Sequence, residues 1–157
     1  QRQMCIRDSH MGEDCFKKAV INMKGSLAKG GELFIIDING MFTNLGTTNK
    51  VLISLIEKLA TKFTGDFNIG SRIPTILNEM NFKNIKYQIQ LEDFKGDERE
   101  EEVRQMKFRF KLAHDSMAKI FSNKVEHESF VNLFIAELEC DSTAYYISKF
   151  IVSGSNS

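Results

Sequence analysis

Apolar residues recur along this chain in two periods, and the first half alternates between them. Phe16, Val20, Met23 and Leu27 fall at steps of three and four, with Ala19 and Ile21 beside them, so residues 13–27 predict an amphipathic helix. It leads into Gly30-Gly31, a pair suited to a helix exit, where positive φ is common and only glycine escapes the Cβ penalty. Leu33 to Ile36 is then apolar without interruption and stops on Asp37. A run apolar on both faces predicts a strand covered by helices on both sides, the second half of an αβ unit in a parallel sheet. Asn39 to Thr48 is rich in turn formers and predicts an irregular loop ending in threonines fit to cap a helix. Leu52, Leu55, Ile56, Leu59 and Phe63 mark one face of that helix, from about Asn49 to Lys62 and ended before Gly65. Gly70-Ser71-Arg72-Ile73-Pro74 opens the next, with the proline placed in the first turn, where its missing N–H is not needed. Its buried face is Ile73, Ile76, Leu77 and Met80, Asn81 is a left-handed exit, and Phe82 packs back.

The second half opens on the cleanest period of two. Ile85, Tyr87, Ile89 and Leu91 alternate with Lys86, Gln88, Gln90 and Glu92, which predicts a strand with one wet face, near a sheet edge. Acidic Asp97 to Glu102 precede basic Arg104, Lys107, Arg109 and Lys111, the order a helix dipole favours, and this charge run reads as a solvated helix face. Val103, Met106, Phe110, Ala113, Met117 and Phe121 form the apolar stripe, so residues 97–121 predict one long helix or two short ones. Phe130, Val131, Phe134, Ile135 and Leu138 mark another, from about 124 to 138, and Ala144 to Val152 closes the chain as a strand rich in aromatic and β-branched residues. Tyr145 and Tyr146 alternate faces, which puts one of them in the core.

Composition narrows the classes. At 157 residues, 42% hydrophobic and 27% charged with a net charge of zero, the chain has the make-up of one soluble domain or part of one. Zero net charge gives no reason to expect an anionic membrane or nucleic acid as partner. Cys5, Cys15 and Cys140 have no metal-type pairing and are odd in number, which points away from a disulfide framework and toward a reducing, cytoplasmic setting. No apolar run approaches the roughly 20 residues that cross a bilayer. Residues 1–9 have no amphipathic period, and their back-translation resembles a transposase-type sequencing adapter read in frame. They are therefore set aside as a non-native segment, with the native-looking chain taken from His10 to Ser157.

The order α, β, α, α, β, helical insert, β brings a family to mind through three segments. Leu-Ala-Lys-Gly-Gly-Glu-Leu-Phe-Ile-Ile-Asp at 27–37, Ile-Pro-Thr-Ile-Leu-Asn-Glu-Met-Asn-Phe at 73–82 and Tyr145-Tyr146 in the closing strand resemble the carboxyl-terminal half of class I S-adenosylmethionine-dependent methyltransferases. Lys29 stands where proline is usual in that family, and Asn81 where glycine is usual, a change that keeps the same backbone angles accessible. The resemblance implies an α/β fold: the fifth, sixth and antiparallel seventh strands of a Rossmann-like sheet, with an insert or lid at about 93–142 between the last two. It implies S-adenosylmethionine as cofactor of the whole protein. The Gly-rich loop and the ribose-holding acid of that family are not among these 157 residues, so no residue is assigned to the cofactor, and the chain is expected to be an inactive fragment.

What the resemblance leaves here is the acceptor side. Asp37, Asn39 and Phe42, at and just beyond the carboxyl end of a strand, are the candidate substrate-binding residues, because open α/β sheets bind ligands at that edge. The methyl acceptor is unknown, with a small molecule favoured and nucleic acid disfavoured by the neutral charge. His114, beside Asp115, is the candidate general base, against the simpler reading of a boundary histidine on a helix. His127-Glu128 has no further ligand at helical spacing, so no metal is expected, and Arg72 could contact an anion or serve structure alone. A reading from a different class stands beside the enzyme: a non-catalytic α/β protein-interaction module in which Gly30-Gly31 is only a turn.

Overall fold

The computed structural model describes residues 12–156, and the adapter-like segment 1–9 lies outside them. In chain order the elements are α1 (Glu13–Gly25), β1 (Glu32–Asn39), α2 (Lys50–Lys62), α3 (Ile69–Glu79), β2 (Phe82–Asp93), α4 (Gly96–Leu112), α5 (His114–Ala118), α6 (Lys124–Glu139) and β3 (Tyr146–Asn156). They divide into two compact units, one holding residues 12–41, 64–92 and 147–156, the other 42–63 and 93–146.

The first unit is a mixed α/β layer of three strands in the order β1-β3-β2. β1 and β3 run antiparallel, from Glu32 opposite Ser155 to Asn39 opposite Ser148. β2 lies on the other side of β3 and also runs against it: the Ser155 hydroxyl donates to the Lys83 carbonyl at 3.0 Å, while Lys149 pairs with Glu92 at the opposite end. β1 and β2 are therefore parallel to each other, with β3 running back between them. A parallel neighbour for β1, as its apolar run predicts, does not occur among the described residues. Leu33 and Ile35 are buried, whereas Phe34 and Ile36 are 43% and 38% exposed, so among the described residues helices cover one face of β1 and not both.

That covered face is built from both periods. Phe16, Val20 and Met23 of α1 and Ile69, Ile73, Ile76 and Leu77 of α3 close over Leu33, Ile35, Phe82, Phe150 and Val152. Gly30 takes φ 77° at the turn into β1, and its N–H donates to the Asn156 carbonyl at 2.7 Å, tying that turn to the last residue of β3. Asn81 takes φ 59° at the exit of α3, as its side chain allows, and Phe82 packs back into the core. Two expectations need correction. α3 begins at Ile69, which makes Pro74 its sixth residue rather than a first-turn one. β2 sits at the end of the strand order as predicted, but Tyr87, Ile89 and Leu91 are exposed along with their polar neighbours, because the core stops at Ile85.

The second unit is helical. The Asn49 side chain accepts from the N–H groups of Val51 and Leu52, and that of Asn123 from Glu126, so asparagine rather than threonine caps α2, and asparagine also caps α6. The stripe at 103–121 breaks at Ala113 into α4 and α5. Phe110 of α4 packs edge-on against Phe130 and Phe134 of α6, with ring centroids 5.6 Å apart in both pairs.

The charge run at 97–102 is not wholly solvated. Arg99 and Glu102 are both buried, since they lie on the same turn-by-turn stripe as Val103, Met106 and Phe110. Arg99 Nε donates to the Leu138 carbonyl at 2.7 Å, and its Nη2 to those of Cys140 at 2.8 Å and Thr143 at 2.7 Å. A guanidinium thus satisfies the carbonyls at the end of α6, where the helix dipole favours positive charge.

Candidate functional site

Asp37 and Asn39 close β1 and belong to the first unit. Asp37 continues the buried face of Leu33 and Ile35 and is itself buried, with Oδ1 accepting from the N–H of Ile38 at 2.7 Å. Asn39 turns its Oδ1 to the first turn of α3, where the N–H of Ser71 donates to it at 3.1 Å. The helix N-terminus is drawn against the strand end by this bond, an amide oxygen taking one of the donors a helix leaves unpaired. Such a terminus carries partial positive charge and sits at the end of the strand that bears a buried carboxylate.

Phe42 is placed otherwise. It belongs to the second unit, buried in the aromatic cluster, stacked on Phe110 at 6.0 Å and edge-on to Phe134 at 5.6 Å. Its ring is packed within that unit. Arg72, the candidate anion contact, is engaged by carboxylates: Nη1 donates to Asp66 Oδ2 at 2.6 Å and Nη2 to Glu13, which ties α1 to α3.

His114 is exposed, its Nδ1 3.1 Å from Asp115 Oδ1. Its ring stands edge-on to that of His127, with centroids 5.0 Å apart. His127 is buried, and among the described residues neither of its ring nitrogens has a hydrogen-bond partner. Burial holds its pKa below the usual histidine range, the charge of His114 adds to that, and Glu128 opposes it. No group of three or more metal-ligating side chains occurs among the described residues.

Sequence reasoning missed a buried polar chain in the second unit. Tyr145 is fully buried and its hydroxyl donates to Glu102 Oε1 at 3.4 Å, which also accepts from Arg109 Nη1 at 2.9 Å. Burial first, and then the charge of Glu102, push the tyrosine pKa up, so it stays a neutral donor. The signal was available: Arg99, Glu102, Met106 and Arg109 fall at helical spacing on or beside the apolar stripe. At the surface, hydrogen bonds from Lys58 and the Ser122 N–H lower the pKa of Glu126, and Ser142 lowers that of the exposed thiol Cys140.

Among the described residues, the two strand exits do not offer a cradle for S-adenosylmethionine. β1 is followed by the isolated Gly40, whose N–H already donates to the Phe67 carbonyl at 2.8 Å, and β2 is followed by the isolated Gly96. Neither strand exit offers the glycine-rich backbone that a nucleoside cofactor needs for close approach. No helix among the described residues is long and apolar enough to cross a membrane.

No family model and no curated protein matches the chain. Among solved structures it is similar to phosphoethanolamine N-methyltransferase 2 of Haemonchus contortus, in complex with phosphomonomethylethanolamine and S-adenosylhomocysteine, at 15% identity and a TM-score of 0.44. The selenomethionine form of that protein with S-adenosyl-L-methionine gives the same identity and score. The match covers 98% of this chain and 32% of that one, so the chain spans about a third of the length of the proteins it resembles.

Proposed function

We propose that this chain is the acceptor-substrate side of a class I S-adenosylmethionine-dependent methyltransferase, with its three strands the fifth, seventh and sixth of the whole sheet. The observation that carries this reading is the strand order: β3 runs back between two mutually parallel strands, the first of them entered through Gly30 and carrying a buried acid two residues before its end. The exposed Phe34 and Ile36 support it, since an apolar outer face is what a strand shows when helices that cover that face in a larger α/β sheet are absent. Asp37 and Asn39 orient a small acceptor at the strand end, and the whole protein supplies the cofactor from upstream sequence. The chain alone is inactive.

The test is to extend the coding sequence upstream of His10. The expected result is a strand, a Gly-x-Gly-x-Gly turn and a following acid, and an extended protein that binds S-adenosylmethionine by calorimetry where the 157-residue chain does not. A true start or an in-frame stop immediately before Met11 overturns the proposal and leaves the interaction-module reading.

A further inference from the structure

We infer that residues 114–121, α5 and the turn after it, are a flap over the buried His127 ring that swings open in mild acid. The flap is a short piece between two fixed ends, all of it within the second unit. Before it, the Ala113 N–H donates to the Arg109 carbonyl at 2.9 Å, and after it the Ser122 N–H donates to Glu126 Oε2 at 2.6 Å. Lys58 of α2 holds the second end further, pairing with Glu126 and donating to the Ser122 hydroxyl at 2.7 Å. Between these ends the hydrogen bonds are local. Met117 N–H donates to the Ala113 carbonyl and Ile120 N–H to that of Met117, both at 2.9 Å. Among the described residues, no side chain of 114–121 forms a hydrogen bond or ion pair outside residues 113–121. Packing of buried Met117 and Phe121 holds the segment down.

Under the flap lies a group that water would let charge. His127 is buried with neither ring nitrogen partnered, and the rings against it, His114 at 5.0 Å and Phe121 at 5.6 Å, both belong to the flap. A protonated imidazole there would be desolvated without compensation. Glu128, its neighbour on α6, is exposed and paired with Lys124, and Glu126 is held by Lys58 of α2. Asp115 of α5 lies against His114, and α4 presents the Phe110 ring to Phe130. His114 brings charge of the same sign as a protonated His127. Swinging the flap away hydrates the His127 ring and parts the two imidazoles. Burial first, then the charge of His114, lowers the pKa of His127 in the closed form, so the open form binds the proton more readily. Opening therefore grows as pH falls below the ordinary histidine value of about 6.5. A short segment with few buried anchors opens far more readily than the whole unit unfolds.

Hydrogen exchange of the full chain, read by mass spectrometry at about pH 7.5 and about pH 5.5 and corrected for intrinsic exchange, tests this. One proton taken up at a pKa of about 6.5 raises the opening equilibrium about tenfold between the two. A helix this short does not persist once undocked, so peptides within 114–121 should lose about tenfold in protection. Those of α6 should keep theirs, with the circular dichroism unchanged. His127→Phe and His127→Gln each remove the titrating ring, and either should leave protection at 114–121 equal at the two pH values. Equal protection in the parent protein overturns the inference, as does a loss spread evenly over the flap and α6, which is unfolding of the whole unit. A tenfold acid loss retained in either folded variant overturns it too.

Discussion

The side-chain oxygen of Asn39 closes off the Cβ position of Gly70: a Cβ there would lie 2.8 Å from that oxygen and 3.0 Å from the Phe150 ring. The same oxygen accepts the N–H of Ser71. Strand end and helix start are therefore joined at a point with no room for a methyl group. Gly70→Ala should cost about 2 kcal/mol of stability in urea titration through overpacking, and Asn39→Ala about 1 kcal/mol through loss of the cap. A Gly70→Ala protein as stable as the parent would mean that the contact yields freely.

His127 makes the second unit sensitive to acid. Its folded pKa is lowered by burial, so the unfolded chain binds the proton more readily. The stabilisation is complete above the unfolded value of about 6.5 and is lost as pH falls below it. His127→Phe should flatten the fall of the urea midpoint between neutral and mildly acidic pH. An unchanged slope in that variant would assign the acid sensitivity to other groups.

Arg99 closes the end of α6 through four backbone carbonyls, those of Glu137, Leu138, Cys140 and Thr143. Arg99→Met keeps the apolar stem but strands the carbonyls, and should cost about 3 kcal/mol. Arg99→Lys should recover only part of that loss, since an ammonium cannot reproduce the planar fork. Hydrogen exchange at residues 134–140 separates local fraying of α6 from global loss.

β1 ends the strand order with Phe34 and Ile36 exposed, which makes it a template for pairing with another chain. Phe34→Thr with Ile36→Thr keeps β-forming residues while removing apolar surface. The variant should remain monomeric in light scattering at concentrations where the parent associates. Equal association of the two proteins would place the contact elsewhere.

Particular residues show how much could be read in advance. Gly30 and Asn81 announced their positive φ, because few other residues tolerate it. The helix faces of α1, α2 and α6 followed from spacing alone, since burial along a helix repeats with its turn. Phe42 shows the opposite: a ring one loop beyond a strand end has no period, and only the packing of α4 and α6 gave it an aromatic cluster. Glu102 looked like one more solvated acid until Tyr145, far away in sequence, supplied its partner.

The sequence by itself determined where helices and strands form, which helix faces are apolar and that Gly30 and Asn81 turn left-handed, all of which depend on neighbours within a few residues. Only the tertiary structure decided that β3 lies between β1 and β2, that one face of β1 stays bare and that Arg99 ends α6. Those outcomes depend on pairings between segments tens of residues apart, and pairing partners leave no local period to read.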